Sequence, residues 1–150
     1  MAKKHKHVFL SYFHGDRASI SKLRDDLKNA GEEVWWDQDI LPGQDWELTI
    51  EQALRESYAI LICLSKKALA QVESGIYPEA RTAIEAYKRY KPGSIFLIPV
   101  RLNKCDIPPI KIDGSQRLDV LQYADLFPAS KRVDGLKRLI EAIRKSSNHP

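Results

Sequence analysis

Apolar and polar positions along this 150-residue chain follow two rhythms. Short unbroken apolar runs mark strands buried on both faces, and apolar positions spaced three or four apart mark helices with one covered face. Val8-Phe9-Leu10-Ser11-Tyr12 is the first run, followed by a helix with Asp16 as its cap, Ile20, Leu23, Leu27 and Ala30 on one face, and Gly31 as its stop. Val34 to Trp36 is a second strand. Pro42-Gly43 forces a turn, and Asp45 caps a helix whose apolar stripe is Trp46, Ile50, Ala53 and Leu54. Ala59 to Leu64 is apolar throughout, as a central parallel strand should be. A helix starting near Pro78 turns Ala80, Ala83, Ile84 and Tyr87 inward and ends at Pro92-Gly93. Ser94 to Val100 is a fourth strand, Leu121 to Leu126 a short fifth, and Val133 to Ile143 a closing helix with Leu136, Leu139, Ile140 and Ile143 on its apolar face. Asn103 to Leu118, with Pro108-Pro109 and Asp113-Gly114, reads as irregular chain with at most a turn of helix. Strands alternating with helices predict a three-layer α/β/α domain around a five-stranded parallel sheet.

Length makes this one domain, residues 1–150, with a core from about 7 to 145; a chain of this size buries about 70% of its unfolded surface and needs no staples. Ser146 to Pro150 reads as a tail or the start of a linker, so a fused sensor domain beyond it is an expected partner. The two cysteines, Cys63 in a strand and Cys105 in a loop, have no paired spacing and fit a reducing compartment. No apolar run approaches the roughly 18 residues of a membrane span, and the expectation is a cytoplasmic protein. Net charge is +4 with a pI near 9.0. The basic residues are interspersed with acids along helices, as in Lys22, Arg24, Asp25, Asp26 and Lys28, which is the pattern of solvated faces and not of a nucleic-acid surface.

An open parallel sheet binds ligands beyond the carboxyl ends of its strands. Those ends carry Ser11-Tyr12-Phe13-His14, Asp37 to Asp45, and Ser65-Lys66. No phosphate-cradling glycine loop is present, and the four histidines lack metal-ligand spacing, so neither a metal nor a resident cofactor is expected. A phospho-acceptor receiver would require acidic residues where this chain has Ser11-Tyr12 and Ser65-Lys66. Ser11, His14 and Asp37 make a triad on paper only, with no nucleophile elbow. Glu79 follows Pro78 in the first turn of its helix, where an acid complements the helix dipole and where a carboxylate at a cleft mouth also suits a developing ribosyl cation.

Phe9-Leu10-Ser11-Tyr12, Asp37 to Trp46, Leu64-Ser65, Ser74 to Glu79, Phe96 to Leu102, Cys105 to Pro108 and Gln122 to Phe127 resemble, in order, the conserved segments of the Toll/interleukin-1 receptor (TIR) domain family, and most closely its bacterial NAD-cleaving members. The resemblance implies a flavodoxin-like fold and an NAD glycohydrolase or ADP-ribosyl cyclase, a signalling or antiphage-defence effector that takes NAD as substrate, with Glu79 catalytic. It implies Ser11, Tyr12, Phe13, Asp37, Trp46, Ser65 and Tyr77 as substrate-binding residues. The BB loop, here Asp39, Ile40, Leu41, Pro42 and Gly43, would drive homotypic assembly. Where many enzymatic members carry Trp four residues before the glutamate, this chain has Gly75, leaving Tyr77 or Trp46 to supply that wall. A non-enzymatic TIR adaptor assembling through the same loop is the alternative. A nucleoside deoxyribosyltransferase-like enzyme shares the topology but would be expected to show a more developed substrate pocket.

Overall fold

The structure is a computed structural model that describes residues 6–70, 76–90, 96–114 and 116–147. Its elements run β1 (His7–Ser11), α1 (Arg17–Asn29), β2 (Val34–Trp35), α2 (Trp46–Arg55), β3 (Ser57–Leu64), α3 (Lys66–Ala70), α4 (Pro78–Tyr90), β4 (Phe96–Arg101), β5 (Lys111–Asp113), β6 (Gln116–Arg117), β7 (Ala124–Asp125) and α5 (Arg132–Ser147). The main sheet has the order β2-β1-β3-β4-β7 with every pairing parallel. This is the flavodoxin-like three-layer arrangement, with its topological switch point between β1 and β3.

The period of two along each strand divides the core in half. Phe9, Ile60, Ile62, Leu64 and Leu97 face α2 and α4, where they meet Ile50, Ala53, Leu54, Ala80, Ala83 and Ile84. Val8, Leu10, Leu61, Cys63 and Val100 face α1 and α5, against Ile20, Leu23, Leu27, Leu139 and Ile143. β3 lies between two full-length neighbours and is buried at every position from Ala59 to Leu64, which explains its unbroken apolar run.

β4 carries a proline in mid-strand, and the sheet order explains why. The Arg101 carbonyl accepts from Leu126 on the β7 side, and Pro99, two residues earlier, shares that orientation. β7 pairs only with Val100 and Arg101, so no ladder partner is waiting for the N–H that Pro99 lacks. The two-residue β7 is held by side chains instead. Arg101 binds the Asp125 carboxylate through two hydrogen bonds of 2.7 Å and the Cys105 carbonyl through a third, while its guanidinium lies over the rings of Tyr123 and Phe127. α5 approaches so closely that a Cβ at Gly135 would sit 1.8 Å from the Asp125 carbonyl oxygen.

Three expectations need correcting. Asp16 precedes α1 but makes no side-chain cap bond, because its carboxylate accepts the Ser65 hydroxyl instead. The stretch Asn103 to Leu118 is not merely irregular: β5 and β6 pair antiparallel and bury Ile112 and Leu118, the latter opening a single 3-10 turn. Trp46 leaves the buried stripe of α2 and is 56% exposed. Asp45 does cap that helix, accepting from the Leu48 amide at 2.9 Å. The Pro92-Gly93 stop, Ser94, Gly75 and the last three residues of the tail lie outside the described residues.

β1 is fastened at its start by His7, whose Nε2–H donates to the Ala53 carbonyl at 2.7 Å while the ring stacks on Trp35. Burial lowers the His7 pKa below its ordinary 6.5. Between the two values the unfolded chain binds a proton that the folded chain does not, so this residue's contribution is intact above pH 6.5 and is lost as pH falls. The fall in unfolding free energy from pH 7 to 5.5 should therefore be smaller in His7→Gln than in wild type, as followed by urea denaturation. Equal slopes would remove His7 as a source of acid sensitivity.

Candidate functional site

At the switch point the β1–β3 ladder ends with the pair Ser11 and Ile62. Just beyond it, the carbonyls of Ser11 and Cys63 have no further strand to bond. Both accept from the Tyr77 hydroxyl, at 2.9 and 2.7 Å. Tyr77 is fully buried, and burial raises its pKa well above the ordinary 10, so the phenol keeps its proton and stays a donor. Its own carbonyl accepts from the amides of Ala80 and Arg81, which makes it the N-cap residue of α4, with Pro78 in the first helical position.

This places Glu79, exposed in the first turn of α4, on the rim of a cleft of about 70 Å³. Ser11 and Tyr12 line it from the end of β1, Asp37 from the start of the following loop, and Trp46 and Ile50 from α2. His14 and Thr82 complete the polar rim. The Glu79 side chain makes no hydrogen bond or ion pair among the described residues. Ser11 is 2% exposed, and its buried Oγ likewise has no hydrogen-bond partner among the described residues. A buried hydroxyl without a partner is costly unless something else supplies one, and a ligand in the cleft would do so.

The remaining polar groups are already committed. The Tyr12 hydroxyl donates to Asp37, tying the end of β1 to the loop, and burial followed by that carboxylate pushes the phenol pKa up. The Tyr12 ring is tilted against Trp36, over which the Arg24 guanidinium lies at 5.2 Å. Behind Asp37 the loop is closed by its own bonds: Leu41 N–H donates to the Gln44 side chain at 2.7 Å, Gln44 N–H to the Leu41 carbonyl at 3.1 Å, and Trp36 N–H to Asp39 at 3.2 Å. Gly43, at φ +90°, takes the left-handed turn that Pro42-Gly43 implied.

Five residues expected at the site therefore share one cleft: Ser11, Tyr12, Asp37, Trp46 and Glu79. Three others are engaged elsewhere. Ser65 caps α3, accepting from Ala68 N–H at 2.9 Å while donating to Asp16. Tyr77 is a buried tie and not a pocket wall. Phe13 is half-buried against the core with its ring beside His14. Of the two large apolar residues on the Asp39–Gly43 loop, Ile40 packs against the core, whereas Leu41 is 65% exposed. His14 and Thr82 were not predicted for the cleft. His14 was visible as a polar residue at a strand end, but Thr82 carried no signal beyond lying one turn after Glu79.

A larger cleft of about 570 Å³ lies beside the first half of β4, between Tyr87, Leu121, Tyr123 and Leu139, with Arg138, Glu141 and Lys145 around it. None of the expected site residues reaches it. Size alone does not make it the site: the small cleft is the one at the switch point, and it holds the unpartnered hydroxyl and carboxylate. Among the described residues no group of His, Cys, Asp and Glu is placed to hold a metal ion, and no helix is long and apolar enough to cross a membrane.

The geometry defines a class: an open α/β domain whose switch-point cleft carries an uncommitted carboxylate. The family model for the TIR domain matches residues 8–140, and the chain belongs to that family. No curated protein matches it in sequence. Among solved structures it is similar to the TIR domain of the Toll-related receptor TRR-2 from the lower metazoan Hydra magnipapillata, at 20% identity and a TM-score of 0.68, over 91% of this chain and 97% of that one. It is also similar to a metazoan TIR-STING receptor from C. gigas, solved in complex with 2',3'-cGAMP, at 20% identity and a TM-score of 0.68. That likeness covers 93% of this chain but only 41% of the receptor. At these identities the likeness is one of fold.

The two cleft aromatics should separate in their effect on stability. Tyr12, 4% exposed, belongs to the core, and Tyr12→Ala should cost about 3 kcal/mol of unfolding free energy. Trp46→Ala, on a residue 56% exposed, should cost less than about 1 kcal/mol. Urea titrations of both variants check this, and a Trp46 loss as large as that of Tyr12 would make the indole a structural residue.

Proposed function

We propose that the cleft breaks the nicotinamide–ribose bond of NAD, as a glycohydrolase or cyclase, and that the protein acts as a signalling or defence effector when assembled. The observation that carries this reading is the convergence on one cleft, walled by an exposed Trp46, of a Glu79 carboxylate and a buried Ser11 hydroxyl that have no partner among the described residues. As the C1'–N bond breaks, its electron pair passes to the pyridinium nitrogen, which leaves as neutral nicotinamide without a general acid. Positive charge grows on the ribose, and Glu79 offsets it. Water then attacks C1' and gives up a proton; in the cyclising alternative an adenine ring nitrogen attacks instead. Ser11 offers a donor and an acceptor to the ribose, and Trp46 supplies the flat face that Gly75 does not.

The surroundings constrain how the rest of the dinucleotide runs. The adjoining groove between α2 and α4, which shares Trp46 and Thr82 with the cleft, carries both signs of charge, with Glu47, Glu51 and Glu85 beside Arg89, and Glu51 is paired with Arg55 and Arg89. The cleft is also far smaller than the roughly 300 Å³ lower bound of ordinary ligand pockets. It takes one end of the substrate, and a second copy would supply the remaining surface, with the exposed Leu41 on the Asp39–Gly43 loop as the contact. A non-enzymatic adaptor is the second reading, favoured by that small volume and by the fold's likeness to a Toll-related receptor.

Glu79→Gln should lower nicotinamide release by about 10² to 10³ with an unchanged thermal melt. Turnover within twofold of wild type would sink the catalytic assignment. If the site is shared, specific activity should rise across a hundredfold concentration series in step with light scattering, and Leu41→Ser should weaken both. A monodisperse monomer of constant specific activity would leave a self-contained pocket.

A further inference from the structure

We propose that Tyr77 is the positioning residue of this site, and that its hydroxyl fixes where the Glu79 carboxylate stands relative to Ser11. The proposal rests on the NAD-cleaving reading for its kinetic consequence, but not for its geometry. Three observations meet at this one residue. The hydroxyl is shared between the Ser11 and Cys63 carbonyls, so it spans the gap between β1 and β3. The Tyr77 carbonyl takes the first amide bonds of α4, from Ala80 at 3.1 Å and Arg81 at 3.2 Å, so the helix starts from the same residue. Ser11, whose backbone receives the hydroxyl, is the residue whose own Oγ is left unpartnered on the cleft.

The chain dives at Ile76 and Tyr77, both fully buried, and emerges at Pro78 and Glu79, both exposed. Glu79 has no bond of its own among the described residues to hold it. Its placement is inherited from the turn before it, and Pro78, with its fixed φ, transmits that placement stiffly. Apolar packing of Ala80, Ala83 and Ile84 holds the body of α4 on the sheet, but such packing is non-directional. The bonds of the Tyr77 hydroxyl are directional and fix the helix entrance, and small misplacement of a catalytic group is expensive in rate.

Tyr77→Phe deletes only the hydroxyl and keeps the ring in its cavity. Tyr58→Phe serves as the control, since Tyr58 also donates its hydroxyl, in this case to the Glu32 carboxylate, but far from the cleft. Expected for Tyr77→Phe are amide hydrogen exchange at Ala80 and Arg81 faster by tenfold or more relative to Leu23 in α1, kcat for nicotinamide release lower by ten- to a hundredfold with KM within twofold, and no further loss when added to Glu79→Gln. Tyr58→Phe should leave all three unchanged. Unaltered exchange at Ala80 and Arg81, or a rate loss that multiplies with that of Glu79→Gln, would overturn the proposal. Should wild type release no nicotinamide, the NAD reading falls while amide exchange still decides the anchor.

Discussion

Where the ladder between two neighbouring parallel strands stops, backbone carbonyls face a space no ladder will fill, and in this protein the space between β1 and β3 is closed by the hydroxyl of Tyr77. A buried carbonyl without a partner is costly, so the gap has to be closed by something. Closing it with a residue from the following helix sets that helix on the cleft. The entrance of α4, the rim formed by Glu79 and the orientation of Ser11 all follow from this one contact.

The same economy of fastening recurs around the sheet. Ser65 ends β3 by capping α3 and, through Asp16, ties that cap to the turn before α1. Tyr12 ends β1 by donating to Asp37 and so holds the loop that follows β2. Arg101 ends β4 by clasping Asp125 and keeps a two-residue strand in the sheet. Each strand end thus spends a polar side chain on architecture. What distinguishes Ser11 and Glu79 is that their side chains make no bond among the described residues.

Two aromatic side chains near Glu79 have different settings. Trp46 comes across from α2 to line the cleft and is exposed, while Tyr77, two residues before Glu79, is buried in the core.

The sequence by itself determined the layers. Unbroken apolar runs identified β1, β3 and β4 because a central parallel strand is buried on both faces, and the 3.6-residue stripes identified the helices, with Gly31 and Asp45 marking ends through their own local chemistry. The alternation of strand and helix then implied a parallel sheet, while its order, β2-β1-β3-β4-β7, came only with the structure. Tertiary structure decided what each polar residue at a strand end does, since that depends on partners 14 to 66 positions away, as with Tyr77 and the carbonyls of Cys63 and Ser11. Asp16 was legible as a cap and became an acceptor for Ser65 because a distant hydroxyl competes with the local amide. Trp46 fitted a buried stripe by spacing, yet at the first turn of α2 the sheet no longer lies beneath it. The β5–β6 hairpin escaped notice because strands of two and three residues carry too few positions to show a period. Periodicity reports which face of an element is covered; only the packed chain determines which polar atoms are left for chemistry.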